Sequence, residues 1–369
     1  MGFSTAISQA KNPADAARDL ARSLDTKNAK LLVFFASPAF PSEALGKALA
    51  AEFAGIPSLG CTTSGELADG RMLKHSIVAG IFDDTLLDGA AVALVRDMAS
   101  DESTAAALAE LVQALGQPGQ ELDPQRHVGL VLHDGLSVRE EQVMAALSAR
   151  TNVPFVGGSA GDDLAFRETQ VFVNFVPSHG ASALAMVRPK VKFKVLKTQS
   201  FDVSDAKLVV TSADEATRTV HTFNGKPAAE EYARALGVSV EELPGRFQSN
   251  PVGLVAPGGE PFVRSPQQLK GGSVVFYCQI AQGAELSVLR ARNLVEDTAR
   301  DFQTAVAELG SLSAAINFHC ILRTLELEQR GLTEAYGQIF AGKPAIGFST
   351  YGESYIGHIN QTSTMLLFA

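Results

Sequence analysis

Cysteine is scarce in this sequence, and basic runs and long apolar stretches are missing. Three cysteines, Cys61, Cys278 and Cys320, stand without CxxC spacing in 369 residues. That count supports neither a disulfide framework nor a structural zinc site, and it fits a reducing compartment, the cytoplasm. No window holds 18 uninterrupted apolar residues, so membrane insertion is not expected. The first residues lack a charged segment followed by an apolar run, so no signal peptide is expected, and residues 1–6 do not complete the myristoylation pattern. Lys and Arg number 31 against 40 Asp and Glu, a formal net charge of −9. That acidic balance disfavours nucleic acid and anionic membrane as partners. Lys190, Lys192 and Lys194 alternate, which reads as the solvent face of a strand. Neither GxGxxG nor GxxxxGK[ST] follows any strand-like run, and HExxH is absent, so dinucleotide, P-loop and zinc-hydrolase chemistry lack support.

What is present is self-similarity. Three times the chain writes an apolar run, a helical stretch, and a second strand that ends in a Gly-rich turn. The first copy reads LLVFFASPAF, PSEALGKALAAEF, IPSLGCTTSGEL. The second reads HVGLVLHDGLS, VREEQVMAALSAR, VPFVGGSAGDDL. The third reads AAINFHCILR, one longer helix TLELEQRGLTEAYGQIFAG, and KPAIGFSTYGES. Continuous apolar runs suit strands buried on both faces, and Leu45, Leu49 and Phe53 mark a helical face. Ser137 with Glu140 is a capping-box pattern at the second helix start. The expected fold is therefore α/β, with mixed β-sheets built from three βαβ-type repeats and helices packed on their outer faces. The length implies about two domains. The expected division is an N-terminal helix in 1–28, one unit over 29–221 and another over 222–369, where composition shifts to Pro and Gly.

The turns are the candidate ligand site. Gly60, Cys61, Thr62, Thr63 and Glu66 align with Gly347, Phe348, Ser349, Thr350 and Glu353, and more loosely with Gly157, Gly158, Ser159, Asp162 and Asp163. Glycine lets a ligand approach the main chain, and free N–H groups in such turns attract anions. Thr and Ser hydroxyls donate or accept, and Glu66, Glu353 and Asp162 suit an ammonium or a hydroxyl. The turns follow strands, where open α/β sheets bind ligands. A small molecule carrying both charges, such as an amino acid, suits the mixture.

GCTTSGE at 60–66, VGGSAGD at 156–162, FHCILR at 318–323 and GFSTYGE…HINQT at 347–362 together resemble the FIST domain family, over about residues 29–368 and across both of its units. The resemblance implies a signal-transduction sensor that binds a small ligand and regulates a partner, such as a histidine kinase or a cyclic-di-GMP signalling protein. One bacterial branch of the family is similar to a haem-binding nitric-oxide sensor. In that reading haem is the cofactor, and His319 or His133, at equivalent strand ends, is the candidate axial ligand. CxxCH is absent, so covalent haem attachment is not expected. The enzyme alternative rests on Cys61 as a nucleophile in a Gly-flanked turn, with His75 or His133 as base. No nucleophile motif surrounds Cys61, so the expectation is a sensor and not an enzyme. A docking protein presenting helices at 13–24 or 101–115 is a third class.

Overall fold

The computed structural model describes residues 2–115 and 122–369. The chain is a mixed α/β protein in two compact units. One unit comprises Met1–Thr198, Ala299–His358 and Ser363–Ala369; the other comprises Gln199–Thr298 and Ile359–Thr362.

All three copies lie in the first unit. Ala29–Ala36 runs parallel to Ser58–Thr62 through helix Ser42–Glu52. Val128–His133 runs parallel to Phe155–Ser159 through helix Glu140–Ser148. Ala314–Cys320 runs parallel to Ala345–Thr350 through helices Ile321–Arg330 and Thr333–Gln338. In each copy the chain then returns as an antiparallel strand on the far side of the first: Ile77–Asp83, Ser182–Pro189 and Ser363–Phe368.

The Gly-rich turns do more than end strands, because each carries the chain into another copy's sheet. After the first turn, Glu66–Ala68 pairs with the third copy, with Phe348 opposite Glu66. After the third turn, Glu353–Tyr355 pairs with the second copy, with Gly158 opposite Glu353. After the second turn, Val171–Val173 pairs with the first copy, with Gly60 opposite Phe172. The exchange is cyclic, so the open edge of every parallel pair is covered by a strand from elsewhere. Covering edges in this way satisfies their backbone N–H and C=O groups.

Period-two alternation then sorts the apolar residues into layers. Leu31, Val33 and Phe35 join Leu130, Leu132, Ile316, Phe318, Ile346 and Phe348 in a core shared by all three sheets. The alternate positions Leu32, Phe34 and Ala36 pack under Leu20, Leu45 and Leu49 of the helices, and Val131 packs under Val143 and Leu147. The Phe35 and Phe348 rings pack at a tilt with centroids 4.5 Å apart, linking the first copy to the third. Helix Pro13–Ser23 opens on an Asn12 cap that accepts from Asp15 N–H, with Pro at its start. Ahead of it, Phe3–Ser8 is a strand beside Ile77–Asp83.

The second unit carries an antiparallel eight-stranded arrangement. Helix Ala228–Leu236 buries Tyr232 against Phe223 and Phe247 and ends on left-handed Gly237.

Two local expectations are corrected. The third-copy helix is not continuous: Gly331, at φ +66°, caps helix Ile321–Arg330, and a separate short helix follows. The capping box at Ser137 and Glu140 does not form. Val138 at φ +56° interrupts the helix start, Arg139 becomes the cap residue, and Ser137 donates to Asp134 O instead (2.8 Å). The Glu140 carboxylate accepts from Ser159 (3.2 Å).

Phe348→Ala should destabilise the protein by about 3–5 kcal/mol, the cost of a large buried aromatic. A Cβ at Gly161 would lie 2.9 Å from Ser64 N and 2.3 Å from its Oγ. Gly161→Ala should therefore cost about 2 kcal/mol or more, against about 1 kcal/mol for Gly180→Ala, whose φ of +61° is left-handed but whose surroundings are open. Urea unfolding checks both; an equal loss at Gly161 and Gly180 would show that the turns do not press on each other.

Candidate functional site

Because each turn crosses between sheets, the three turns meet. Ser64 N–H donates to Ser349 O (3.2 Å), and Ser349 N–H donates back to Gly65 O (2.7 Å), tying the first turn to the third. Gly161 N–H donates to Thr62 O (3.0 Å) and Asp163 N–H to Ser64 Oγ (3.1 Å), tying the second to the first. Ser159 N–H donates to Gly352 O (2.8 Å) and Tyr351 N–H to Ser159 O (3.1 Å), closing the ring. Gly65 sits at φ +122°, a conformation closed to most side chains. The structure thus gathers Gly60, Cys61, Thr62, Thr63, Glu66, Gly157, Gly158, Ser159, Asp162, Gly347, Ser349, Thr350 and Glu353 around one junction, and all of them are buried.

The polar groups of the junction mostly face one another. Thr63 Oγ1 donates to Glu66 Oε1, and Thr350 Oγ1 donates to Glu353 Oε1 (2.5 Å), so the two aligned turns repeat one Thr-to-Glu clasp. Ser76 adds its N–H (3.2 Å) and hydroxyl (2.5 Å) to Glu66 Oε2. The second turn lacks the clasp. Its Asp162 accepts from the N–H groups of Phe166 (3.0 Å), Arg167 (2.6 Å) and Glu168 (3.1 Å) and from the Tyr351 hydroxyl. These bonds pin a strap at 163–168 in which Asp163, Leu164 and Phe166 all take positive φ. Phe166 is 56% exposed and stacks on Tyr351 at 5.3 Å. Strained backbone of this kind persists only where its surroundings hold it, and it clusters at clamps and switches.

Ser64, Ser76, Tyr351 and the strap were outside the sequence expectation. Tyr351 could have been found as the residue between Thr350 and Gly352. Ser76 left no signal, since it lies ten residues from Glu66 and reaches it only through the fold. The expected absence of GxSxG is corrected, since residues 157–161 spell it. It is not a nucleophile elbow here: a loop and not a helix follows Ser159, and its hydroxyl is buried against Glu140.

Cys61 is buried in strand Ser58–Thr62, where burial, and then the charge of Glu66, push its thiol up. A nucleophilic cysteine needs the opposite shift. His133 has its ring nitrogens 2.8 Å from Ser182 Oγ and 3.1 Å from Ser354 Oγ, and burial drops it to about 4. Both nitrogens are engaged, which does not fit an axial ligand. His319 is 1% exposed and neither ring nitrogen has a hydrogen-bond partner, so its donors do fit one. His75 is exposed at φ +55°. Among the described residues no group of three or more His, Cys, Asp or Glu side chains is placed to hold a metal ion, and no helix is long and apolar enough to cross a membrane.

The family model for the FIST N domain matches residues 30–226, and that for the FIST C domain matches 228–355. The chain belongs to the FIST family. FIST domains are signal-transduction sensor domains, and the family is not one of enzymes. No curated protein matches the chain at a significant level. The FIST N match takes in the first and second turns, and the FIST C match takes in the third. Thus the junction is assembled from both FIST domains.

Burial raises the Glu66 carboxyl from 4.5 to about 7, against the opposing pull of hydrogen bonds from Ser76 and Thr63. Between those values the folded chain holds a proton that the unfolded chain has released. The contribution of Glu66 is therefore present below about pH 4.5 and lost as pH rises to about 7. The total is about 3 kcal/mol at 1.36 kcal/mol per unit. Glu66→Gln should gain stability on the wild type across that window and hold a constant advantage above it. Unfolding titrations from pH 4 to pH 9 check this; a pH-independent difference would show that Glu66 does not titrate in the junction.

Proposed function

We propose that this FIST protein senses a small polar molecule at the junction of its three turns. Binding then regulates a signalling partner such as a histidine kinase or a cyclic-di-GMP protein in the cytoplasm. The supporting observation is the ring of hydrogen bonds that ties turns at 60–66, 157–163 and 347–353 to one another. A ligand that replaces one of these bonds disturbs turns that lead into more than one sheet at once. Hydroxyl, amide and carboxyl groups recur in the ring, so the ligand class is one with donors and acceptors, an amino acid or a molecule like it. The strap at 163–168 is the entry, since opening it would relieve strained backbone at Asp163, Leu164 and Phe166, in exchange for the bonds that Asp162 makes to it. Differential affinity for the two strap positions would be the signal, because a ligand shifts an equilibrium only by that difference.

A second reading, haem with nitric oxide as the signal, is favoured by one observation only, the partnerless ring nitrogens of His319. When bound, haem would supply the diatomic-gas chemistry, and His319 would hold it.

Thermal melting against a panel of amino acids and small polar metabolites tests the first reading, with an absorption spectrum after haem addition run on the same sample. The expected result is a raised melting temperature with at least one panel compound. That shift should be reduced in Tyr351→Phe, which loses the strap's hydroxyl anchor. No compound raising the melting temperature, together with a Soret band lost in His319→Ala and kept in His133→Ala, would replace the first reading with the second.

A further inference from the structure

The third copy holds a closed polar layer separate from the clasped acids. Strand Ala314–Cys320 places Asn317 and His319 on one face, with Ser349 and Ser363 as the cross-strand neighbours of His319. Arg323 and Thr324 from helix Ile321–Arg330, and Tyr336 from helix Thr333–Gln338, cover that face. Each of these side chains is 3% exposed or less.

Most of the layer is internally bonded. Asn317 Nδ2 donates to Tyr336 Oη (3.2 Å), Ser363 Oγ donates to Asn317 Oδ1 (2.7 Å), and Tyr336 Oη donates to Ser363 Oγ (3.4 Å). Thr324 Oγ1 and Ser349 Oγ share a bond of 2.7 Å. His319 is the exception. Its ring lies 4.4 Å from that of Tyr336, yet neither nitrogen has a hydrogen-bond partner. A buried imidazole without partners is costly and uncommon, and such a group calls for an occupant that supplies what is missing.

We propose that this layer binds a compact oxyanion, the carboxylate end of a small ligand, with His319 donating to it and Arg323 supplying the attracting charge. The inference rests on the small-ligand reading above and names the chemistry of one end of that ligand. Charge selects the class. The Arg323 guanidinium sits 6.0 Å from the Tyr336 ring centroid, on the ring that His319 also packs against, and its charge acts on His319. A cation entering here is repelled, a neutral group gains nothing from that charge, and an oxyanion gains both attraction and a charge-assisted hydrogen bond. Ser349 connects the layer to the sensor junction. Its hydroxyl belongs to the layer through Thr324, while its backbone holds Ser64 and Gly65 of the first turn. An anion that draws on Thr324 or Ser349 therefore acts directly on the ring of turns.

Thermal melting of the full chain with sodium acetate, inorganic phosphate and acetamide, against sodium chloride at matched ionic strength, tests the assignment. Acetate should raise the melting temperature in a saturable manner, and acetamide and chloride should not. A shift with phosphate alone would keep the oxyanion site and assign it to inorganic anions. His319→Phe keeps the packing on Tyr336 and removes both nitrogens, so it should fold and bind acetate about tenfold or more weakly, the loss expected for one charge-assisted hydrogen bond. Should that variant fail to fold, His319→Leu and the assigned imidazole 15N signals of the wild type under acetate titration serve in its place. Equal acetate shifts in wild type and variant, or unmoved 15N signals, would overturn the site. Acetamide acting as well as acetate would overturn the anion assignment while leaving the sensor reading intact. No response to any anion, alongside a positive result from the metabolite panel, would do the same.

Discussion

The structure depends on one constraint: each parallel strand pair is completed by a strand belonging to another copy. A βαβ unit alone would leave an edge of unpaired N–H and C=O groups beside its second strand. Here that edge is filled from the first copy to the third, from the third to the second, and from the second to the first. Three short strands, three residues each, thereby commit three sheets to one arrangement. The chain has to turn sharply between leaving one sheet and entering the next. Those turns are forced together because the sheets share one apolar core, in which Phe35, Phe318 and Phe348 meet.

Burial of the turns follows from this, and so does their chemistry. A turn inside a protein must find partners for its main chain, and these turns find them in one another. The Thr63–Glu66 and Thr350–Glu353 clasps hold carboxyl groups where water does not reach them. Removing such a carboxyl from water favours its protonated form, which is why Glu66 rises to about 7 while its hydrogen bonds resist. A junction of this kind is stiff as long as its ring is closed. It is also responsive, because its bonds are few and polar, and a ligand can offer the same donors and acceptors.

Much of this was legible in the sequence, and what was not has physical reasons. The three apolar runs, their helices and the Gly turns appear in order, since local periodicity records which faces are buried. The alignment of Glu66 with Glu353 reflects a shared clasp, and the gathering of the turns agrees with their common position after strands. The cyclic pairing left no local trace. Strand Glu66–Ala68 could sit beside any parallel pair as far as its own residues tell, and its partner lies some 280 residues on. Gly331 reads as an ordinary residue within a helical pattern, and only its left-handed φ shows it to be a stop. Ser137 and Glu140 match a capping box, but Glu140 has a tertiary partner in Ser159, and tertiary bonds override local ones. The difference between His133 and His319 was equally hidden. Both end a buried strand, yet serines flank the first at hydrogen-bond distance and an aromatic ring and a guanidinium flank the second.

Whether the three turns behave as one joint is tested most directly by native-state amide exchange at Ser64, Ser159, Gly161 and Ser349, whose N–H groups make four of the main-chain bonds of the ring. The account predicts that all four exchange together, with one opening free energy, and that disturbing one turn lowers protection at the other two. Independent opening of a single turn, with the rest still protected, would contradict it.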